Sequence, residues 1–167
     1  MTTIRPYRPV DHRNCRQLWA ELTEHHRQLF DDPSIGGQDA GAAFEEYLTR
    51  LDLSGMWVAD HPEDGVVGFA GLVLEGRSGE VHPIVVTAAR RGQGIGRALL
   101  ERVGEEARKR SLRQLTISPV TRDREAIRRF HDAGYTALSA VTLTMDLAAR
   151  GHQRREGLEL HGQQFTY

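Results

Sequence analysis

The sequence predicts an α/β protein, in the mixed α+β sense: one mixed β-sheet flanked by helices. Three observations carry this. Hydrophobic residues recur at helical spacing early in the chain, switch to strand-like runs in the middle, and return to helical spacing twice more. The middle strands are joined by short turns and the later ones by whole helices, so antiparallel and parallel pairings are both expected. The 167 residues suit one hydrophobic core better than two.

Ile4 to Tyr7 reads as a first strand, and Asp11 stands where a helix N-cap would be. Cys15, Leu18, Trp19, Leu22, His26 and Leu29 follow at three- and four-residue steps and mark one face of a helix. Asp31 to Gly37 is a cluster of helix breakers and reads as loop. Phe44, Tyr47, Leu48 and Leu51 mark a second helix. Met56 to Ala59, Val66 to Leu74 and Glu80 to Val86 are then three strands, separated by the turns His61–Gly65 and Glu75–Gly79. Ile95, Leu99, Leu100, Val103 and Ala107 lie on one face of a long helix, and Leu115 to Ile117 is a strand. Ala126, Ile127, Phe130 and Ala133 give a short helix stopped by Gly134, and Val141 to Asp146 is expected to be the last strand of the sheet. Residues 1–147 thus form the predicted domain. Residues 148–167 form a C-terminal extension in which Leu158, Leu160, Phe165 and Tyr167 suggest a final strand or hairpin.

Composition excludes several classes. The formal net charge is -1, so no global field draws in nucleic acid or a membrane surface. No apolar run approaches the ~20 residues that span a bilayer. The N-terminus carries no signal-like apolar stretch, and the single Cys15 rules out an internal disulfide, so a cytoplasmic location is expected. Neither His25–His26 nor His61 has ligand spacing for a metal, and none is expected.

The most informative stretch runs from Val85, Val86 and Thr87 through Arg91, Gly92, Gln93, Gly94, Ile95, Gly96 and Arg97. A buried strand enters three alternate glycines, and the long helix starts there. The first N–H groups of a helix have no partners inside it, and with the helix dipole they make an anion site suited to a diphosphate. Arg91 and Arg97 can add charge. No P-loop lysine follows the glycines, and Arg97 stands where a dinucleotide fingerprint needs its third glycine.

Arg91-x-x-Gly94-x-Gly96 resembles the Arg/Gln-x-x-Gly-x-Gly/Ala signature of the GNAT superfamily of acetyl-CoA-dependent N-acetyltransferases. Asp123 to Tyr135 resembles the family's second motif, Asn-x-x-Ala-…-Tyr-…-Gly-Phe, with Ala126 matched but Asp123 in place of Asn and Phe130 in place of Tyr. The resemblance implies that amides from Arg91 to Arg97 hold the pyrophosphate of acetyl-CoA. It also implies that Val85, Val86 and Thr87 pair with the pantetheine arm, and that Asp123, Ala126 and Phe130 line it. A small-molecule or peptide amine would be the acceptor, and a homodimer is a further expectation of the family.

Acetyl transfer needs a neutral amine, and with a pKa near 10.4 only ~0.1% or less is neutral at pH 7, so a base is required. Strand alternation puts Glu80, His82, Ile84 and Val86 on one face. Glu80 also matches the catalytic glutamate of histone-acetyltransferase members, and it is the first candidate base, against the alternative of a solvated strand-end carboxylate. His82 is the second, against a histidine that only lines the cleft. Pro83 between them suggests a bulge or an unpaired edge. The family's tyrosine protonates the leaving thiolate; Phe130 cannot, although a water or Tyr135 could. The rival reading is therefore a non-catalytic CoA-binding module of the same fold.

Overall fold

A computed structural model describes residues 1–52 and 55–167. The elements in chain order are β1 (Thr3–Pro6), α1 (His12–Phe30), α2 (Ala43–Arg50), β2 (Met56–His61), β3 (Gly65–Glu75), β4 (Ser78–Val86), α3 (Ile95–Lys109), β5 (Gln114–Ile117), α4 (Arg124–Asp132), β6 (Leu158–Leu160) and β7 (Gln163–Phe165). The first five strands form one sheet in chain order. All neighbours are antiparallel except β4 and β5, which the α3 crossover makes parallel. β6 and β7 form a separate antiparallel hairpin.

Each face of the sheet has its own core. On one, α3 lays Leu99, Leu100 and Val103 against Trp57, Leu72 and Val81. On the other, Cys15 and Leu18 of α1 and Phe44 and Tyr47 of α2 pack on Met56, Val58 and Phe69. β2 shows the period-2 logic plainly: Met56 and Val58 face α1 and α2, while Trp57 and Ala59 face α3.

That logic breaks at Pro83. Ala70 pairs with Ile84 and Leu72 with Val81, so His82 and Pro83 together stand opposite Gly71 in a β-bulge. The extra residue inverts the alternation. Val81 faces α3, but beyond the bulge Ile84 and Val86 face α3 and Val85 turns to α1 and α2. The expectation of one shared face for Glu80, His82, Ile84 and Val86 is therefore corrected. Glu80 pairs with Val73, which packs on the α1/α2 side, and the His82 ring meets Trp19 and Tyr47 on that side. Gly71 is required here: a Cβ at this position would lie 1.8 Å from the Tyr47 hydroxyl, which donates to the His82 carbonyl at 2.6 Å.

Two further expectations are corrected. Asp11 does not cap α1, because the 3-10 turn Pro9–Asp11 runs straight into the helix and leaves Asp11 with helical angles. Its buried carboxylate instead takes both Arg5 terminal nitrogens at 2.8 Å and the Arg8 N–H at 2.8 Å. Val141 to Asp146 is not a strand: β5 is an edge, and residues 136–146 carry no regular structure. Gly134, at φ +102°, does follow the end of α4 as expected.

Candidate functional site

β4 and β5 pair only from Ser78 to Val81 against Gln114 to Ile117. Beyond the bulge, β4 continues to Val86 with β3 on one side and, among the described residues, no strand on the other. The Thr87 N–H donates to Val67 at 2.8 Å, so antiparallel alternation turns the Val85 amide toward β3 as well and the amides of Ile84 and Val86 toward the open side. Of the three residues expected to pair with an extended ligand, Val86 has the free amide. The Thr87 amide is engaged in the sheet, and its hydroxyl donates to Glu21 at 3.2 Å.

A cavity of about 350 Å³ opens along this bare edge. Val85, Val86, Arg91, Gly92, Gly94, Ile95, Gly96 and Arg97 border it on one side, and Asp123, Ala126 and Phe130 on the other. Gln93 faces away, onto a second cavity of about 300 Å³ beside Met1, Ile4 and His61. At the cavity's mouth, Gly94 adopts φ +80° and turns the chain into α3. The first α3 amide to find a helical carbonyl is that of Ala98, bonded to Gly94 at 3.0 Å. The N–H groups of Ile95, Gly96 and Arg97 thus lie at the helix start with no intrahelical acceptor, bordering the cavity. Arg91 reaches the Val86 carbonyl at 3.1 Å, and Arg97 is largely exposed beside Glu101. Arg90 and Arg129 also border the cavity, so four arginines contribute to its lining.

The far wall holds a contact that sequence reading missed. Asp123 caps α4 by accepting the Ala126 N–H at 2.9 Å, and its other oxygen meets His25 Nε2 at 2.8 Å. His25 and Leu22 of α1 border the cavity too. Asp123, read from the motif only as a ligand contact, is thus also the pin between α1 and α4. His25 was visible only as one of an adjacent pair; its partner is 98 residues away, which no local spacing reveals. Phe130 presents a ring without a hydroxyl at this wall. Tyr135, the alternative proton donor, packs with the α3-side core and does not border the cavity.

Glu80 and His82 border neither cavity. They lie on the α1/α2 side of β4, across the strand from the α3-facing side chains of Ile84 and Val86. The His82 side chain is exposed at one edge and rests edge-on against Trp19 and Tyr47, with ring centroids 6.0 and 5.7 Å away. This partial desolvation pushes the imidazole pKa below its ordinary 6.5, while the Glu80 carboxylate pulls it up and Arg50 adds to the fall. Among the described residues, no group of three or more His, Cys, Asp or Glu side chains is arranged to hold a metal ion, and no helix is long and apolar enough to cross a membrane.

The family profile described as Acetyltransferase (GNAT) domain matches residues 52–137, from before β2 to just past α4. The chain belongs to the GNAT acetyltransferase family. No curated protein matches it as a sequence relative. Solved GNAT-fold structures do. An acetyltransferase of the GNAT family from Staphylococcus aureus superposes with a TM-score of 0.66 at 17% identity, covering 80% of this chain and 84% of that one. AAC(6')-Iy, solved in complex with the bisubstrate analogue CoA-S-monomethyl-acetylneamine, gives a TM-score of 0.63 at 16% identity over 89% of this chain and 99% of that one. Rv2747 from Mycobacterium tuberculosis, solved with CoA and NLQ, gives 0.54 at 24% identity over 77% and 70%. At such identities these likenesses show a shared GNAT fold.

Proposed function

We propose that this GNAT protein transfers the acetyl group of acetyl-CoA to a primary amine by direct attack in a ternary complex. The observation that carries the reading is the row of N–H groups from Ile95 to Arg97, without intrahelical acceptors, at the mouth of a cavity that runs along the unpaired edge of β4. These groups fit a pyrophosphate, and the bare edge fits an extended pantetheine arm. That AAC(6')-Iy and Rv2747 were solved with CoA groups bound supports the same ligand here. Acetyl-CoA supplies an activated thioester; the rest is the work of this chain. The Ile84 amide, also turned to the open side and nearer to Glu80 along β4, would polarise the acetyl carbonyl, while the Val86 amide would meet the pantetheine arm. The amine arrives from the α1/α2 side, where Glu80 and His82 stand. As its nitrogen bonds to the acetyl carbon, the C–S bond breaks and the amine's proton passes to Glu80, directly or through water. The low pKa of His82 keeps it neutral at pH 7 and available as the alternative base.

The non-catalytic CoA-binding reading has one observation in its favour, the missing hydroxyl of Phe130. A thiol pKa near 8.5 makes departure of an unprotonated thiolate at pH 7 cost only about 2 kcal/mol, which slows the transfer without forbidding it. Thiol release from acetyl-CoA against a panel of primary amines separates the two readings. The transferase reading expects amine-dependent release, a kcat about 100-fold lower in Glu80→Gln, and unchanged acetyl-CoA affinity. If His82 is the base, Glu80→Gln changes little, and the His82→Gln variant alone loses a fall in kcat/KM that sets in at a pH below the ordinary imidazole value. Tight binding of acetyl-CoA with no amine ever acetylated would favour the binding module.

A further inference from the structure

Breaking the thioester inside the cavity leaves an electron pair on sulfur. A thiol with a pKa near 8.5 is mostly protonated at pH 7, so a proton must reach that sulfur. Phe130 has none to give, and Tyr135 stands outside the cavity. The described residues that border the cavity narrow the source to one side chain. Four are arginines, which do not release a proton near neutrality, and three are carboxylates, which hold none there. The others are aliphatic side chains, glycines, Phe130 and His25. Of these only the imidazole of His25 gains and loses a proton near neutral pH.

His25 is also held as a proton donor must be. Its Nε2 lies 2.8 Å from Asp123 Oδ2, and a carboxylate only accepts, so Nε2 carries a hydrogen. Nδ1 has no hydrogen-bond partner among the described residues and is left for whatever occupies the cavity. Asp123 is itself fixed, because its other oxygen accepts the Ala126 N–H at 2.9 Å. The ring is thus braced from the start of α4, the arrangement by which a carboxylate orients an imidazole for proton transfer. The His25 side chain is 29% exposed, so it can exchange protons with solvent between turnovers. Ile84, whose amide faces the open edge of β4, borders the same cavity, as does the Phe130 ring.

We propose that His25 is the catalytic acid of the transfer, giving its Nδ1 proton to the departing coenzyme A sulfur, with Asp123 as its positioning residue. The inference rests on the transferase reading above. As the amine nitrogen bonds to the acetyl carbon, its proton passes to the base on the α1/α2 side. The C–S bond breaks with its electron pair moving to sulfur, and the Nδ1–H bond of the imidazolium breaks as the S–H bond forms. His25 is left neutral with Nε2–H still on Asp123, and solvent returns the proton. The charged and titratable groups around His25 are Asp123, the neighbouring His26 with its ring centroid 6.2 Å away, Glu21 one turn earlier beneath the Thr87 hydroxyl, and the Glu125–Arg129 pair of α4.

kcat measured from about pH 6 to 9 for wild type, His25→Gln, Phe130→Tyr and the double variant tests the assignment, with acetyl-CoA affinity read by calorimetry. Gln retains an amide N–H for Asp123 and has no proton to transfer. His25→Gln is expected to lose about 30-fold in kcat near pH 7, the factor by which a thiol of pKa near 8.5 outnumbers its thiolate there, with Kd for acetyl-CoA little changed. The deficit should close toward about pH 9, where a histidine in the wild type has lost its proton as well. Phe130→Tyr alone should stay within about threefold of wild type near pH 7, and in the double variant the added hydroxyl should restore most of the loss. Three results would each overturn the assignment while leaving the transferase reading intact: His25→Gln as fast as wild type, a deficit that is independent of pH or matched by lost acetyl-CoA binding, or a gain of about 30-fold in Phe130→Tyr alone. A wild type that binds acetyl-CoA and acetylates no amine would remove the transferase reading and this inference with it.

Discussion

Gly94→Val is expected to lower the affinity for acetyl-CoA several hundredfold while lowering the melting temperature by only about 2–6 °C, the cost of the backbone strain. Gly94 sits at φ +80°, a left-handed conformation that a β-branched residue adopts only under strain. No protein atom lies within 4 Å of a Cβ built there, so the substitution disturbs no packing. What it changes is aim. The chain must relax out of the left-handed angle, and the N–H groups of Ile95, Gly96 and Arg97 swing with it. Hydrogen bonds to a charged phosphate contribute about 1.5–3 kcal/mol each. Misdirecting one or two of the three costs about 3–4 kcal/mol, a factor of several hundred in Kd. Isothermal titration of both proteins with acetyl-CoA reads this directly, and equal affinities would remove the glycine turn from the binding site.

Asp11→Ala is expected to cost about 2–3 kcal/mol of stability and to lower Tm by about 5–10 °C. Asp11 is 5% exposed and ties three groups: both Arg5 terminal nitrogens and the Arg8 N–H. Its removal leaves a half-buried guanidinium with Asp60 at 2.8 Å as its remaining carboxylate partner, beside the Pro6 carbonyl at 3.2 Å. That remaining partner keeps the loss at the lower end for a broken buried pair. The sign with pH follows from the same contact. Arg5 holds the Asp11 carboxyl below its ordinary 3.8, so the stability it contributes is fully present above about pH 4 and is lost as pH falls through the lowered value. Thermal melts of wild type and variant should therefore differ most near neutrality and converge in acid.

The elements legible in the sequence were those fixed by local chemistry. The glycine turn, the amphipathic α3 and the β2–β3 hairpin need no knowledge of distant partners, and each lies where periodicity and turn residues place it. The features that escaped depend on a second segment. Pro83 signalled a bulge, but only its pairing with Gly71 shows that the faces invert there and separate Glu80 and His82 from Ile84 and Val86. Asp11 has the residue type of a helix cap, yet a 3-10 turn and Arg5 claim it. The His25–Asp123 contact joins α1 to α4 across the fold. Val141 to Asp146 has the alternation of a strand and no partner within its own sheet.

The most direct test of the central claim compares coenzyme A with pantetheine by calorimetry. Pantetheine carries the same thiol arm and lacks the pyrophosphate that the α3 amides are proposed to hold. Coenzyme A should bind with micromolar affinity, and pantetheine at least about 100-fold more weakly, the loss corresponding to two or more charge-assisted hydrogen bonds. Equal affinity for both, or no heat from coenzyme A at millimolar concentration, would contradict the account.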